Sequence, residues 1–373
     1  MAETIHALVA VEKNTKDAVG AMRNPQTIWA AMTSSDFNFP LLQEAGELLR
    51  MGGLVAFPTE TVYGLGANGL SDSACKKIYE AKGRPSDNPL ILHIPSKEEI
   101  APLVLEISNE AEQLLEAFCP GPLTLVFKKA EAVSDIVSGG LPTVAIRIPK
   151  HPVANQLLRL AGVPVAAPSA NQSGRPSSTK ASHVKEDLWN KIDMIVDGGD
   201  TEFGLESTIV DVSVSPPVLL RPGAITKNMI EEVVGTIELD PTILNKPEKD
   251  VKPKAPGMKY THYAPKARVV LVDTEAETLV DTINHLIKSD NDKKIGVLAT
   301  EKNAKQYENA VVRSLGNKEN LEEIGKNLFD ALRWFDEQNV DLIYSEMFIK
   351  EEVGLAIMNR LEKAAGYEVL RHR

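Results

Sequence analysis

The sequence predicts an α/β protein in two parts, a large twisted mixed-sheet domain followed by a small Rossmann-like α/β domain. Three observations predict it. Short apolar runs recur through residues 1–240 with helix-periodic stretches between them. Residues 241–265 hold five prolines and no sustained periodicity, the composition of a linker. After that segment a strand–helix rhythm restarts and continues through 266–373.

In the first part, Leu41, Leu42, Ala45, Leu48 and Leu49 keep helical spacing, and Gly52-Gly53 closes the helix. Residues 54–57 read as a buried strand ending at Pro58, and Ala74, Ile78 and Ala81 mark a second helix stopped by Gly83 and Pro85. Further strands are expected at 90–94, 123–127, 144–148, 163–167, 194–196, 207–212 and 218–220. The last two are close enough for a hairpin, which makes the sheet mixed. In the last part, 269–272, 295–298 and 342–344 read as strands. Leu279, Ile283, Leu286 and Ile287 form one helix face, and Leu321, Ile324, Leu328, Leu332 and Phe335 a longer one. A closing helix runs from about 351 to 365. No G-x-G-x-x-G follows the first of these strands, so no dinucleotide site is expected there. Residues 1–39 receive no role.

Composition narrows the function classes. Hydrophobic residues make up 43% and charged residues 25%, as in ordinary globular domains. Two cysteines, Cys75 and Cys119, are too few for a disulfide framework or a four-thiolate zinc site. There is no signal-peptide pattern and no apolar run of about 18 residues, so a cytoplasmic location without membrane contact is expected. The net charge of −11 argues against a broad nucleic-acid face. Residues 241–265 are nevertheless basic, with five lysines against two acids. Cations gathered locally in an acidic chain point to a small anionic ligand.

Three polar clusters sit at expected strand or helix ends, where open α/β sheets place ligands. The first, 58–66, sets Thr59, Glu60, Thr61 and Tyr63 in a glycine-bearing turn. The second pairs Lys82 and Arg84 around Gly83, followed by Asn88 and His93; cations also suit a helix C-terminus, and a histidine in an apolar strand is often a core residue. The third follows Arg147 with the hydroxyl- and amide-rich loop 168–177; such loops are common turn chemistry too. Glu206-Ser207-Thr208 and Arg221-Pro222-Gly223 repeat the theme downstream. There is no Walker A sequence, kinase signature, H-E-x-x-H or G-x-S-x-G. A nucleotide would have to be held by scattered side chains.

In order, PTETVYGLG, KGRP-x-x-NPL, PGPLT, VAIRIP, PSAN-x-SG-x-PS, GLESTIVD and LLRPG resemble the threonylcarbamoyl-AMP synthase family, whose catalytic module has the YrdC-like fold. APGMKYTHYAPKA resembles the connector of its two-domain form, so the match spans about 40–265. The resemblance implies that threonine's amine takes up CO2 from bicarbonate and that the resulting carbamate attacks the α-phosphorus of ATP. With every participant anionic, the task is charge neutralisation and alignment. Lys82 and Arg84, on the family's K-x-R pair, are the implied catalytic cations. Arg84, Asn88, Thr143, Asn171, Thr179, Arg221 and His262 are implied for ATP, and Thr61, His93, Arg147, Ser169 and Thr208 for threonine. Mg²⁺ is implied on the phosphates, held by ATP and water, with no protein metal ligand assigned. The product is implied to pass to a tRNA threonylcarbamoyltransferase complex acting on adenosine 37, with at most weak direct tRNA contact.

The connector 256–265 is expected to be a lid over the nucleotide. It has hinge candidates in Pro256, Gly257 and Pro265, charge from Lys254 and Lys259 near His262, and the aromatic Tyr260 and Tyr263. The other reading is that the two tyrosines pack the domains together. Carbamoyl-phosphate-using hydrogenase maturation factors carry the same module, but their cysteine-rich zinc fingers are excluded by two isolated cysteines. An RNA-binding module fits poorly with the acidic first domain, and a degenerate scaffold with motifs that keep their polar residues.

Overall fold

Apolar runs bounded by turn residues become the strands of a mixed eleven-stranded sheet. The structure is a computed structural model that describes residues 27–32, 39–246, 253–256 and 262–371. The strands are β1 (Ile28–Ala31), β2 (Val55–Phe57), β3 (Gly64–Asn68), β4 (Ile91–His93), β5 (Leu123–Lys128), β6 (Thr143–Arg147), β7 (Val165–Ala166), β8 (Met194–Asp197), β9 (Thr208–Asp211), β10 (Val218–Arg221) and β11 (Glu238–Leu239). Their spatial order is β1-β8-β2-β3-β7-β4-β6-β5-β9-β10-β11. Helices α1 (Phe39–Arg50), α2 (Asp72–Lys82), α3 (Asn109–Phe118), α4 (Asp135–Ser138), α5 (Pro152–Ala161), α6 (Ala181–Leu188) and α7 (Lys227–Val234) cover it.

Both faces of this sheet are buried, and β2 shows how. Val55 and Phe57 point into a core with Leu42 and Leu49 of α1 and Leu157 of α5, while Ala56 joins the opposite core with Ile78 of α2 and Leu114 of α3. A period of two lets one strand feed two cores. Each fully buried Leu, Val or Phe contributes about 1.5–3 kcal/mol.

Three strands of this sheet differ from the sequence expectation: β1, β3 and the short edge strand β11, which no expected strand covers. Residues 64–66 read as part of a turn, yet Gly64–Asn68 is β3, antiparallel to both β2 and β7. Its glycine is a packing requirement, because a Cβ at Gly66 would lie 2.8 Å from Val165 Cγ1 and 2.9 Å from Phe57 Cε1. Within residues 1–39, to which no role was assigned, 28–31 form β1 and extend the sheet parallel to β8.

The chain then builds a second, all-parallel sheet from β12 (Arg268–Asp273), β13 (Ile295–Ala299), β14 (Val311–Ser314), β15 (Leu342–Ser345) and β16 (Val369–Arg371), in the order β14-β13-β15-β12-β16. With it come α8 (Leu279–Ser289), α9 (Glu301–Ala304), α10 (Leu321–Gln338) and α11 (Glu352–Ala364). The expected small Rossmann-like unit is present, with β14 and β16 added at its edges. Val62 and Leu205 of the first sheet's loops join the core formed by Leu328, Phe329 and Ile357, so α10 and α11 pack directly on the larger unit. Among the described residues no helix is long and apolar enough to cross a membrane.

Candidate active site

Three strand ends and two loops meet at a cavity of about 400 Å³, within the range of small-molecule sites. His93 and Arg147 are cross-strand partners at the C-terminal ends of the parallel strands β4 and β6, and Arg221 ends β10. The turn after β2 and the loop 168–177 after β7 complete the wall. Ligands of open α/β sheets sit at such strand ends.

One end of the cavity is organised by Arg147. Its Nη2 donates to Glu60 Oε1 at 2.7 Å and its Nη1 to Thr61 Oγ1 at 2.8 Å. Glu60 Oε2 accepts the amides of Lys150 and His151, so the pair is tied to backbone on its far side. Thr61 also meets Thr59 Oγ1 at 2.9 Å, and Thr59 donates to the Val62 carbonyl. His93 is buried, with Nδ1 3.1 Å from the Ile91 carbonyl. Burial, then Arg147, pushes its pKa down to about 3, so the ring is neutral. As the carbonyl only accepts, Nδ1 carries the proton.

The other end begins where α2 stops. Lys82, on its last turn, buries its Nζ and donates to the carbonyls of Ser169 and Asn171, fixing the loop 168–177 from below. Burial, then Arg84, holds this ammonium well below its ordinary 10.5. Arg84 Nη2 donates to the Pro89 carbonyl at 2.9 Å. Asn171 Nδ2 donates to the carbonyls of Gln172 and Arg175, closing the loop on itself. Arg221 donates through Nε to the Ser207 carbonyl at 3.0 Å and through Nη1 to the Pro256 carbonyl at 3.2 Å, bringing the connector to the wall. Burial pushes its pKa down to about 10.

Most of the sequence-derived site residues converge here: Lys82, Arg84, Asn88, His93, Arg147, Ser169, Asn171, Arg221 and His262 all line the cavity. Four threonines do not. Thr61 stands one layer behind the wall, its hydroxyl engaged by Arg147 and Thr59. Thr143 starts β6, four residues before Arg147 and so roughly 13 Å along the strand. The Thr179 hydroxyl lies 3.4 Å from His183 Nδ1, and the Thr208 hydroxyl donates to the Ile225 carbonyl at 2.6 Å. Thr208 is displaced by its own neighbour: adjacent strand residues point to opposite faces, and Ser207 takes the cavity side.

The wall also contains residues that sequence reasoning did not select: Thr59, Arg175, Ser177, Glu206, Ser207 and Tyr263. Their motifs were visible, but which residue of each motif faces inward was not. Of the connector, Pro256, His262 and Tyr263 reach the wall, whereas Gly257, Lys259 and Tyr260 lie outside the described residues. Tyr263 packs between domains, stacked on Phe329 with ring centroids 5.1 Å apart, and His262 tilts over it at 5.5 Å. Tyr263 thus has the packing role, while touching the cavity as well.

The electrostatic character of the wall is decisive for its chemistry. Lys82, Arg84, Arg147, Arg175 and Arg221 line the cavity with Glu206 as the one acid among the described lining residues, while behind the wall Arg147 is paired with Glu60 and Arg175 with Glu186, Asp187 and Asp336. In a chain of net charge −11, that excess marks a site for anions.

The family model described as "Telomere recombination" matches residues 47–223, and the one described as "Threonylcarbamoyl-AMP synthase, C-terminal domain" matches residues 225–366. The threonylcarbamoyl-AMP synthase of Pyrococcus abyssi (strain GE5 / Orsay) is 49% identical over 329 residues, covering 88% of this chain and 94% of its own. That of Bacillus subtilis (strain 168) is 50% identical over 337 residues, with 90% and 95% covered. The crystal structure of P. abyssi Sua5 complexed with L-threonine matches with a TM-score of 0.87 at 46% identity, covering 93% of this chain and 100% of that one. Such identity across both sheets and the connector leaves no room for a likeness of fold alone, and the chain belongs to the threonylcarbamoyl-AMP synthase family.

Proposed function

We propose that the cavity joins L-threonine, CO2 from bicarbonate, and ATP into threonylcarbamoyl-AMP and pyrophosphate. The observation that carries this reading is a cation-rich wall, with Lys82, Arg84 and Arg221 gathered at one end and Glu206 the one acid among the described lining residues, in a cavity whose two ends differ in kind. The Arg147 end, with Thr59, neutral His93 and Ser169, suits a zwitterionic amino acid with a hydroxyl. The Lys82–Arg84–Arg221 end, with Asn88, Asn171 and His262, suits a nucleotide.

The ammonium of threonine gives one proton to bicarbonate, which yields CO2 and water; the neutral amine then adds to CO2 and loses a second proton to solvent, giving a carbamate. A carbamate oxygen attacks the α-phosphorus, the bond to the oxygen bridging the α- and β-phosphates breaks, and pyrophosphate leaves with the electron pair. No protein nucleophile enters this scheme. From the nucleotide end, Lys82 and Arg84 would reduce the repulsion between carbamate and phosphate and stabilise the charge on the crowded phosphorus. Arg84 brings a planar fork to two oxygens at once, and Lys82 a point charge.

Mg²⁺ is proposed to arrive with the nucleotide. The wall's one acid, Glu206, is already engaged by Ser177 and Arg360. Among the described residues no group of three or more His, Cys, Asp or Glu could hold a metal. These residues do not form a metal cage, so phosphate oxygens and water are the expected ligands. Handing of the adenylate to a tRNA threonylcarbamoyltransferase complex, in the cytoplasm, completes the proposal.

The test is pyrophosphate release by the purified protein with ATP, Mg²⁺ and bicarbonate, with and without L-threonine. Release that depends on both threonine and bicarbonate is expected. Release indifferent to threonine would overturn the reading.

A further inference from the structure

Two arginines of the second sheet's helices reach the back of the cavity wall. Arg333 of α10 donates through Nη2 to the Pro176 carbonyl at 2.6 Å and to Asp187 Oδ2 at 2.7 Å. Asp187 of α6 in turn accepts the Gln172 amide at 2.9 Å, so the second domain holds the loop 168–177 directly at Pro176 and, through Asp187, indirectly at Gln172. Arg360 of α11, with no exposed surface, donates through Nε to Glu206 Oε2 at 3.0 Å and through Nη1 to the Pro222 carbonyl at 2.6 Å. The other Glu206 oxygen accepts from Ser177. Ser177, Glu206 and Ser207 line the cavity, and Arg360 does not.

We propose that Arg360 is a positioning residue for the reaction: from behind the wall it fixes the Ser177–Glu206–Pro222 corner and cancels the carboxylate that would otherwise face the nucleotide's phosphates. The inference rests on the nucleotide reading of this cavity. A buried carboxylate stripped of its cation is strongly disfavoured, and in a low-dielectric wall its field acts on a bound polyanion with little screening. The groups facing Glu206 are Arg360 and Lys363 from α11, Arg221 from β10 and Tyr263 from the connector. Burial pushes the Glu206 carboxyl up, but Arg360 and Arg221 more than offset this and keep it below its ordinary 4.5. Without Arg360 the balance moves toward the protonated acid, and nucleotide affinity becomes sensitive to pH. On this account the second domain is part of the site's electrostatic framework, although among the described residues it contributes no side chain of its own to the wall.

The experiment compares full-length wild type with Arg360→Met, Glu206→Gln and the double variant, measuring ATP affinity by calorimetry, thermal unfolding, and threonine-dependent pyrophosphate release at pH 6 to 8. Arg360→Met is expected to raise the ATP Kd and KM at least tenfold at pH 8, to change kcat less than threefold, and to recover affinity toward pH 6. Adding Glu206→Gln should restore the Kd to within threefold of Glu206→Gln alone. Because removing Arg360 also shifts Lys363, whose pKa burial and then Arg360 push down to about 7, the comparison is repeated in a Lys363→Met background, where the remaining pH dependence belongs to Glu206. A folded Arg360→Met with ATP affinity within twofold of wild type, or a loss that Glu206→Gln does not restore, overturns the proposal. If Arg360→Met does not fold, Glu206→Gln decides. Tighter ATP binding supports the proposal, because Arg360 is then an unbalanced cation behind the phosphates, and equal or weaker binding overturns it. Wild type that releases no pyrophosphate with threonine, beside affinities that shift as described, would fault the reaction and leave the role of Arg360 standing.

Discussion

Arg147 and Glu60 are held 2.7 Å apart in a buried ion pair at the end of the cavity proposed for the amino acid. Burial raises the Glu60 carboxyl, yet Arg147 and backbone amides more than compensate and leave its pKa below the ordinary 4.5. A group depressed in this way contributes stability that is fully present above 4.5 and lost as pH falls through the folded-state value. Glu60→Gln should therefore lower stability at neutral pH by about 3 kcal/mol, since breaking a buried pair strands the other charge. The gap to wild type should narrow as pH drops below 4.5, read by denaturant unfolding at neutral and acid pH.

Arg84→Lys should cripple turnover although it keeps the charge. The ammonium cannot span two oxyanion oxygens, and loss of one transition-state contact costs on the order of 3–4 kcal/mol, roughly a hundredfold or more in rate. Steady-state pyrophosphate release by the folded variant is the check. Near wild-type kcat would reduce Arg84 to a residue that ties off α2 at Pro89.

Among amino acids, valine should fail more completely than serine. A site built to bond a hydroxyl rejects the analogue lacking it far more strongly than it penalises one missing methyl, worth about 1–3 kcal/mol. Ratios of kcat/KM for the three amino acids measure this. Comparable values for valine and threonine would remove the hydroxyl from the specificity argument.

Nucleotide binding should take up a proton at Lys82. Lys82 in the cavity has its pKa held well below 10.5 by burial and then by Arg84, and phosphates beside it will raise that value. Between the two values the free protein is deprotonated and the complex protonated, so ATP affinity should weaken as pH rises through that window. Calorimetry in buffers of different ionisation enthalpy reports the uptake. A binding enthalpy independent of buffer there would show that Lys82 is already charged.

How much of this was legible in the sequence depended on the range of the interaction. Strands such as β5 and β6 announced themselves by short apolar runs interrupted only by Thr124 and Arg147, and the site's cations by motifs at their ends. β3 did not, because Gly-Leu-Gly-Ala-Asn carries the residues of a turn, and its glycines answer to Phe57 and Val165 on neighbouring strands. Thr208 was chosen over Ser207 because motif membership says nothing about which face of a strand a residue occupies. The partner of Glu206 was out of reach altogether, since Arg360 lies 154 positions away in a helix with no diagnostic motif.

Gly204 carries a further consequence. A Cβ there would lie 2.4 Å from the Lys326 carbonyl oxygen and 2.5 Å from its Cα, so the loop before β9 rests on the bare backbone of α10. Along the same seam Arg333 and Arg360 are each engaged with acids of the first domain. Prising the seam open would put several charges and the Phe329 face into water together. Opening along this seam is therefore a disfavoured route, and substrate entry and product departure are expected to leave the two halves of the molecule shut against each other.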